Sequence, residues 1–205
     1  MTARPSTRPV RMASRERGIA LIEVLVSLVI LLFGLLGLAG VSSRANLAEM
    51  ESYQRIQALQ LVQDMADRIN ANRKVASCYS NGAAGLRLST SSTAIPTCTA
   101  GNIQQQTQAA ADLAAWGKLI QGQAETDTAK ASKFVGAMIG AVGCVTLDDA
   151  ANNVYLIVVS WQGLAKTAAP TLADGTTAFP CGRGIYGDER LHRVVTTKVR
   201  IGVLS

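Results

Sequence analysis

The sequence predicts an α+β protein: a long N-terminal helix, apolar in its first half and amphipathic in its second, packed on an antiparallel β-sheet. Three observations carry this. Between Glu23 and Arg44 lie 20 uncharged, mostly aliphatic residues, the length that crosses a hydrocarbon core of ~30 Å as a helix. No proline occurs between Pro9 and Pro96, so nothing breaks the helix where the apolar run ends. After residue 141 apolar and polar residues begin to alternate with the period of strands, and helix followed by strands is an α+β order.

Composition sets the limits. The chain has 205 residues, enough for one domain with an appendage. Hydrophobic residues make up 48% and charged residues 17%, which excludes wholesale disorder and a charged coiled-coil rod. Only one segment could span a bilayer, which excludes a polytopic membrane protein. A single His rules out a His-rich metal site. The net charge of +6 invites a nucleic-acid reading, but five Arg and one acid fall in the first 18 residues. The other 187 residues hold 15 basic and 13 acidic groups, so nucleic acid is not expected as a partner.

Residues 1–18 form a basic, proline-containing leader. Residues 19–43 are the transmembrane half of the long helix, and residues 44–72 its amphipathic half. In the second half Leu47, Met50, Leu61, Met65 and Ile69 fall near one stripe, with Glu49, Glu51, Arg55, Asp64 and Arg68 largely elsewhere. From Ile19 to Asn72 the helix would run near 80 Å at 1.5 Å per residue. Arginines before the span place the N-terminus in the cytoplasm and the body outside it. Leu35 to Gly40 resembles a signal-peptidase site only weakly, because the apolar run is long for a secretory signal.

Glu23 stands out inside the span. A charge there costs about 2.5–3.5 kcal/mol on insertion scales, and such a group usually has a partner and a function. The competing reading is snorkelling at the membrane surface, since Glu23 is only four residues into the run. Gly34, Gly37 and Gly40 sit three apart. They permit close helix approach and weaken the helix by about 1 kcal/mol each relative to Ala; simple tolerance of Gly in a span is the bland alternative.

Residues 73–141 read as a loop-rich region containing one short helix over 108–120. Residues 76–107 are dominated by Ser, Thr, Gly, Asn and Gln. Residues 142–205 hold the sheet. Val142 to Leu147 is a strand, 148–153 a turn, and Val154 to Trp161 a strand apolar on both faces and hence central. The last strand is expected over Leu191 to Val203, with Leu191, Val195, Val199, Ile201 and Val203 facing the core. Arg190, His192, Thr196, Lys198 and Arg200 are expected on its polar face, which makes His192 a solvated surface residue.

No catalytic constellation emerges, so no enzyme activity, cofactor or metal is expected. GxSxG, P-loop and GxGxxG patterns are absent. Gly182-Arg183-Gly184 reads as a turn, and Asp148-Asp149 as a solvated turn rather than a calcium-loop fragment. Arg190, Arg193, Lys198 and Arg200 make a modest basic strip without the interleaved aromatics that single-strand binding uses.

The string Arg17-Gly18-Ile19-Ala20-Leu21-Ile22-Glu23-Val24-Leu25-Val26 resembles the class III signal of type IV pilins and pseudopilins. The resemblance implies cleavage by a prepilin peptidase between Gly18 and Ile19 and N-methylation of Ile19. Glu23 then becomes the fifth mature residue, the family's hallmark; Ile replaces the usual Phe at the first. Free α-amines titrate at about 7.7–8.0, so the new terminus is cationic near neutral pH. The family implies that Glu23 of one subunit meets the Ile19 amine of a neighbour in the fibre core, leaving neither charge stranded. Resembling pilins also melt part of this helix on assembly, which makes Gly34, Gly37 and Gly40 candidates for flexibility.

The four cysteines form no CxxC pair, so zinc-ribbon and thioredoxin signatures are missing. In a body outside the cytoplasm they would form disulfides. Three pairings are open; Cys78–Cys98 and Cys144–Cys181 are favoured. The first would staple the loop-rich region, and the second would tie the first sheet strand to the Gly-rich loop before the last.

Further motifs resemble one branch of the family. A helix with Asp112 and Trp116, then Gly143-Cys144-Val145, Trp161-Gln162-Gly163, Cys181-Gly182 and a terminal Arg190-to-Arg200 strand, are similar to the minor pilins known as type IV pilus modification proteins (PilV). This implies a minor pilin acting in pilus assembly or initiation, and hence in twitching motility or adhesion. The implied partners are prepilin peptidase, other minor pilins, the major pilin and the inner membrane. The implied location is a single pass of the inner membrane with a periplasmic body, then the pilus and cell surface. The alternatives are a type II secretion pseudopilin and a membrane-anchored periplasmic binding or adhesin domain that never polymerises.

Overall fold

The computed structural model describes residues 19–92, 94–127, 133–134, 136 and 138–202. The leader 1–18, including Gly18, and the expected strand end at Val203 lie outside the described residues. The chain divides into two compact units between Ala48 and Glu49. In the first, the described residues are all helical and belong to α1 (Ile19–Ala71).

The second unit opens with the rest of α1. It continues through a 3₁₀ segment (Arg73–Tyr79), a second (Gly82–Ala84), β1 (Leu86–Ser89) and α2 (Ile103–Ile120). Two-residue strands β2 (Thr126–Asp127) and β3 (Lys133–Phe134) pair with each other. Then come β4 (Val142–Asp149), β5 (Val154–Gln162), a 3₁₀ turn (Glu189–Leu191) and β6 (His192–Arg200). The four-stranded sheet has the order β1-β4-β5-β6, antiparallel throughout. The protein is therefore α+β, a long helix whose body half packs on an antiparallel sheet.

The period of two divides the sheet into two faces. Leu86, Leu88, Val145, Tyr155, Ile157, Val159, Trp161 and Val199 point to the core shared with α1 and α2. α1 contributes Ala58, Leu61, Val62, Met65, Ala66 and Ile69, and α2 contributes Ala109, Leu113, Trp116 and Ile120. The expected stripe holds at Leu61, Met65 and Ile69 but not at its start. Leu47 and Met50 remain 47% and 55% exposed, because the core begins only at Ala58.

The opposite face carries a second, smaller core of Val142, Cys144, Val158, Phe179 and Cys181. The segment between β5 and β6 lies over it, anchored by the Cys144–Cys181 disulfide. This covering corrects the reading of His192. It does project to the face of Val194, but there it is 1% exposed. One ring nitrogen lies 2.9 Å from the Cys181 carbonyl and the other 3.0 Å from Glu189 Oε2. Its ring also sits 5.1 Å from that of Tyr186. Past the covering segment the expected polar positions Thr196, Lys198 and Arg200 are exposed.

The loop-rich region is more ordered than its composition suggests. A second disulfide, Cys78–Cys98, spans it, and β1 adds an edge strand in register Leu86↔Val145. The helix expected over 108–120 begins earlier, at Ile103. Asn102 accepts from the Gln105 amide at 2.9 Å while Gln105 accepts from the Asn102 amide at 3.1 Å. This reciprocal capping box satisfies two of the orphan donors of the first turn.

Candidate assembly surfaces

Two surfaces, one on each unit, present chemistry that the folded body does not consume. On the first unit every described side chain is exposed. Leu21, Ile30, Phe33, Leu36, Leu38 and Val41 are 65–70% exposed. An all-round apolar helix is stable only in lipid or among other apolar surfaces, and this helix is long and apolar enough to cross a membrane. Glu23 lies in this run and is exposed. Four residues on, the Ser27 hydroxyl donates to the Glu23 carbonyl at 2.7 Å, so Ser27 satisfies itself and leaves the carboxylate to other partners. Gly34, Gly37 and Gly40 are helical, with no atom near where a Cβ would stand.

On the second unit, α1 shows two faces. One is the buried stripe described above. The other exposes Met50, Tyr53, Ile56 and Leu59, spaced by three and each 49–59% exposed. That spacing forms one ridge along a helix.

Polar contacts hold the buried face in place. Near the start of the body, Glu51 accepts from the Leu164 and Ala165 amides at 3.0 and 3.1 Å and from Arg193 at 3.2 Å. At the other end, Arg68 donates to Asp64 at 2.8 Å and to Asp112 of α2 at 3.1 Å. Asp112 also accepts from the Tyr79 hydroxyl at 2.5 Å and from Gln108 at 2.9 Å. Burial and the bond to Asp112 push the Tyr79 phenol well above its ordinary range. Between the two ends, Trp116 donates its indole N–H to the Leu61 carbonyl at 2.9 Å. Both ends and the middle of the body half of α1 are therefore bound by directional contacts, which leave the Met50–Leu59 ridge with one orientation.

The residues expected to carry other chemistry are otherwise engaged. Asp149 accepts from the Ala151 and Asn152 amides and from the Asn152 side chain, and these bonds lower its carboxyl below the usual range. Gly182 and Gly184 adopt φ of +88° and +75° within a turn. The basic strip does not form. Arg193 points to the inner face and pairs with Glu51, Arg190 pairs with Asp188, and Lys198 with Asp148. Missed by sequence reading were Glu51, Tyr79 and Arg68, whose partners are 33 to 142 residues away; no local pattern announces such pairs. Among the described residues no group of three His, Cys, Asp or Glu is arranged to hold a metal ion.

Comparison with known proteins agrees with this geometry. The prokaryotic N-terminal methylation motif matches residues 13–39. A family model described as Tt1218-like, type IV pilin Tt1218, matches residues 41–116. No curated protein matches the chain, and no solved structure does. The motif implies processing by a prepilin peptidase, and one apolar N-terminal helix fits a membrane-anchored pilin destined for the surface. With the methylation motif, the pilin match beside it and a helix packed on a four-stranded antiparallel sheet, the chain is similar to the type IV pilins.

Proposed function

We propose that this chain is a minor pilin that joins the assembly or initiating complex of a type IV pilus, and so serves twitching motility or adhesion. Prepilin peptidase cuts between Gly18 and Ile19 and N-methylates Ile19. The apolar half of α1 holds the subunit in the inner membrane with its body in the periplasm until other minor pilins and the major pilin take it up. Gly34, Gly37 and Gly40 supply the slack in the helix that uptake needs.

The single observation that carries this reading is Glu23. It is one carboxylate in a run of exposed apolar side chains, five positions into the chain that cleavage would leave. Stranded in hydrocarbon it is costly; paired with the Ile19 amine of a neighbour it is matched and sets axial register. The ridge Met50–Leu59 supports the same reading, since it offers a second apolar strip with a fixed orientation.

The test is intact mass and N-terminal sequencing of the membrane-extracted protein, followed by the Glu23→Ala variant in sheared pili. A chain beginning with N-methylated Ile19, and loss of the variant from the fibre while its membrane level is unchanged, are expected. An intact Met1, or normal incorporation of Glu23→Ala, overturns the reading.

A further inference from the structure

We propose that Asn81 is a site of spontaneous covalent modification: its side chain cyclises onto the Gly82 amide, releases ammonia, and takes up water to leave aspartate or isoaspartate. Water is the only reagent consumed, so the change needs no enzyme and proceeds in the folded body.

The fold places Asn-Gly here for its backbone. The chain must turn between the 3₁₀ segment Arg73–Tyr79 and β1, and it does so with φ of +53° at Asn81 and +65° at Gly82. Asparagine and glycine enter the left-handed region at the least cost. The same pair sets an electrophile beside a nucleophile. The Asn81 Cγ and the Gly82 nitrogen close a five-membered ring when they bond, and glycine has no side chain to shield that nitrogen.

The surroundings leave both groups available. Asn81 and Gly82 are exposed. The Asn81 side chain makes no capping hydrogen bond, and the Gly82 amide opens the short 3₁₀ turn, where an N–H has no partner within the helix. The other six asparagines are restrained. Asn46 and Asn70 lie inside α1, where the amide that follows each is held in the helical ladder. Asn72 donates to the Tyr79 hydroxyl and the Gln105 carbonyl, Asn102 accepts from the Gln105 amide, and Asn152 donates to Asp149. Asn153 is the informative comparison. Its φ of +50° nearly equals that of Asn81, but the next residue is Val154, whose branched side chain crowds the amide and whose backbone pairs with Arg200 in the sheet.

The step balances without an oxidant or reductant. The Gly82 nitrogen bonds to Cγ, the Cγ–Nδ2 bond breaks, and Nδ2 leaves as ammonia with the proton that the Gly82 amide gives up. Water then opens the ring. Attack at Cγ restores the normal linkage and leaves aspartate. Attack at the main-chain carbonyl leaves isoaspartate, whose extra carbon lengthens the main chain. Just beyond the turn there is no slack to absorb it. A Cβ on Gly85 would lie 2.6 Å from Thr146 Cγ2, and the next residue enters the sheet in register Leu86↔Val145. Isoaspartate should therefore loosen β1, while aspartate, which tolerates the left-handed region, should not.

The test ages the full-length, detergent-solubilised protein in warm, mildly alkaline buffer, then reduces it and maps its tryptic peptides by mass. The peptide spanning residues 75–87, in which Asn81 is the only asparagine, should gain one mass unit and split into two chromatographic species. It should do so severalfold faster than the peptide holding Asn153. Asn81→Asp should show no mass gain and should melt with the wild type. Hydrogen exchange should find the Leu86 and Leu88 amides less protected in the isoaspartate fraction than in Asn81→Asp. The proposal is overturned if the 75–87 peptide keeps its mass while the unfolded, reduced chain converts, or if Asn153 converts as fast. Equal loss of β1 protection in Asn81→Asp would overturn the argument from chain length and assign the effect to the added charge.

Discussion

Two glycines show how the same residue type acts in opposite directions. Gly143 sits in β4 on the core face, and a Cβ there would run into Ile120 and Trp116. Gly117 lies in α2, where a Cβ would meet only Leu88 Cδ1 at 3.5 Å, an ordinary contact. Gly143→Ala should therefore overpack the core and cost about 1–3 kcal/mol. Gly117→Ala should gain up to about 1 kcal/mol from helix propensity. Chemical denaturation of the two variants checks this; a stabilised Gly143→Ala would show that α2 can yield. Neither sign is readable from sequence, because each depends on what faces the glycine across the core. His192 is the same lesson in reverse. Its alternation with Val195 and Val199 assigned its face correctly. Its burial depends on a distant segment folding back over that face, and strand periodicity does not report that.

Among elements, legibility followed the length of the pattern. β4, β5 and β6 have eight or nine residues each and enough periods to be recognised. β1 has four residues in a stretch rich in Ser and Gly, and its strand character comes from pairing with β4. The first turn of α2 reads Ile-Gln-Gln-Gln, without apolar periodicity, yet the Asn102–Gln105 capping pattern was there to find. The segment between β5 and β6 has no repeating pattern at all and is held by carboxylates. Hydrogen bonds from Arg190 and Lys166 keep the Asp188 carboxyl far below the usual range. The Gly184 amide, followed by His192, lowers that of Glu189, and Thr177 with the Thr176 and Thr177 amides lowers that of Asp174. Each depressed carboxyl favours the folded loop above the carboxylates' ordinary range and loses that contribution as pH falls through the folded value. Hydrogen-exchange protection of the Gly184 and Arg190 amides should thus be full near pH 6 and fall progressively below about pH 4. Asp188→Asn should show lower protection at pH 6 and a flatter profile. Equal protection at pH 6 and pH 2.5 in the wild type would assign the loop's order to the disulfide and the second core alone.

At the scale of the whole molecule, the division between Ala48 and Glu49 separates two kinds of stability. The second unit contains every residue of both cores, from Ala58 onward, both disulfides, and the contacts of Glu51 and Arg68 that hold α1 to the body. Among the described residues none of these core residues, disulfides or contacts involves residues 19–48, whose exposed aliphatic side chains are satisfied only by lipid or other apolar surface. A fragment starting at Glu49 should therefore be soluble and unfold in one cooperative transition. Reduction should lower its stability by about 3 kcal/mol for the 20-residue Cys78–Cys98 separation, and nearer 4 for the 37-residue Cys144–Cys181 separation, on chain-entropy estimates. The fragment keeps the Met50, Tyr53, Ile56 and Leu59 ridge and loses the apolar segment that precedes it. If that ridge is an assembly surface, the fragment should self-associate weakly at high concentration, and Ile56→Glu should abolish the association without changing the melting temperature. Analytical ultracentrifugation across a concentration series measures the first effect, and calorimetric scanning the second. A strictly monomeric fragment would assign the ridge no role of its own and leave assembly to the apolar segment. A fragment that unfolds without cooperativity would instead mean that the body relies on residues before Glu49.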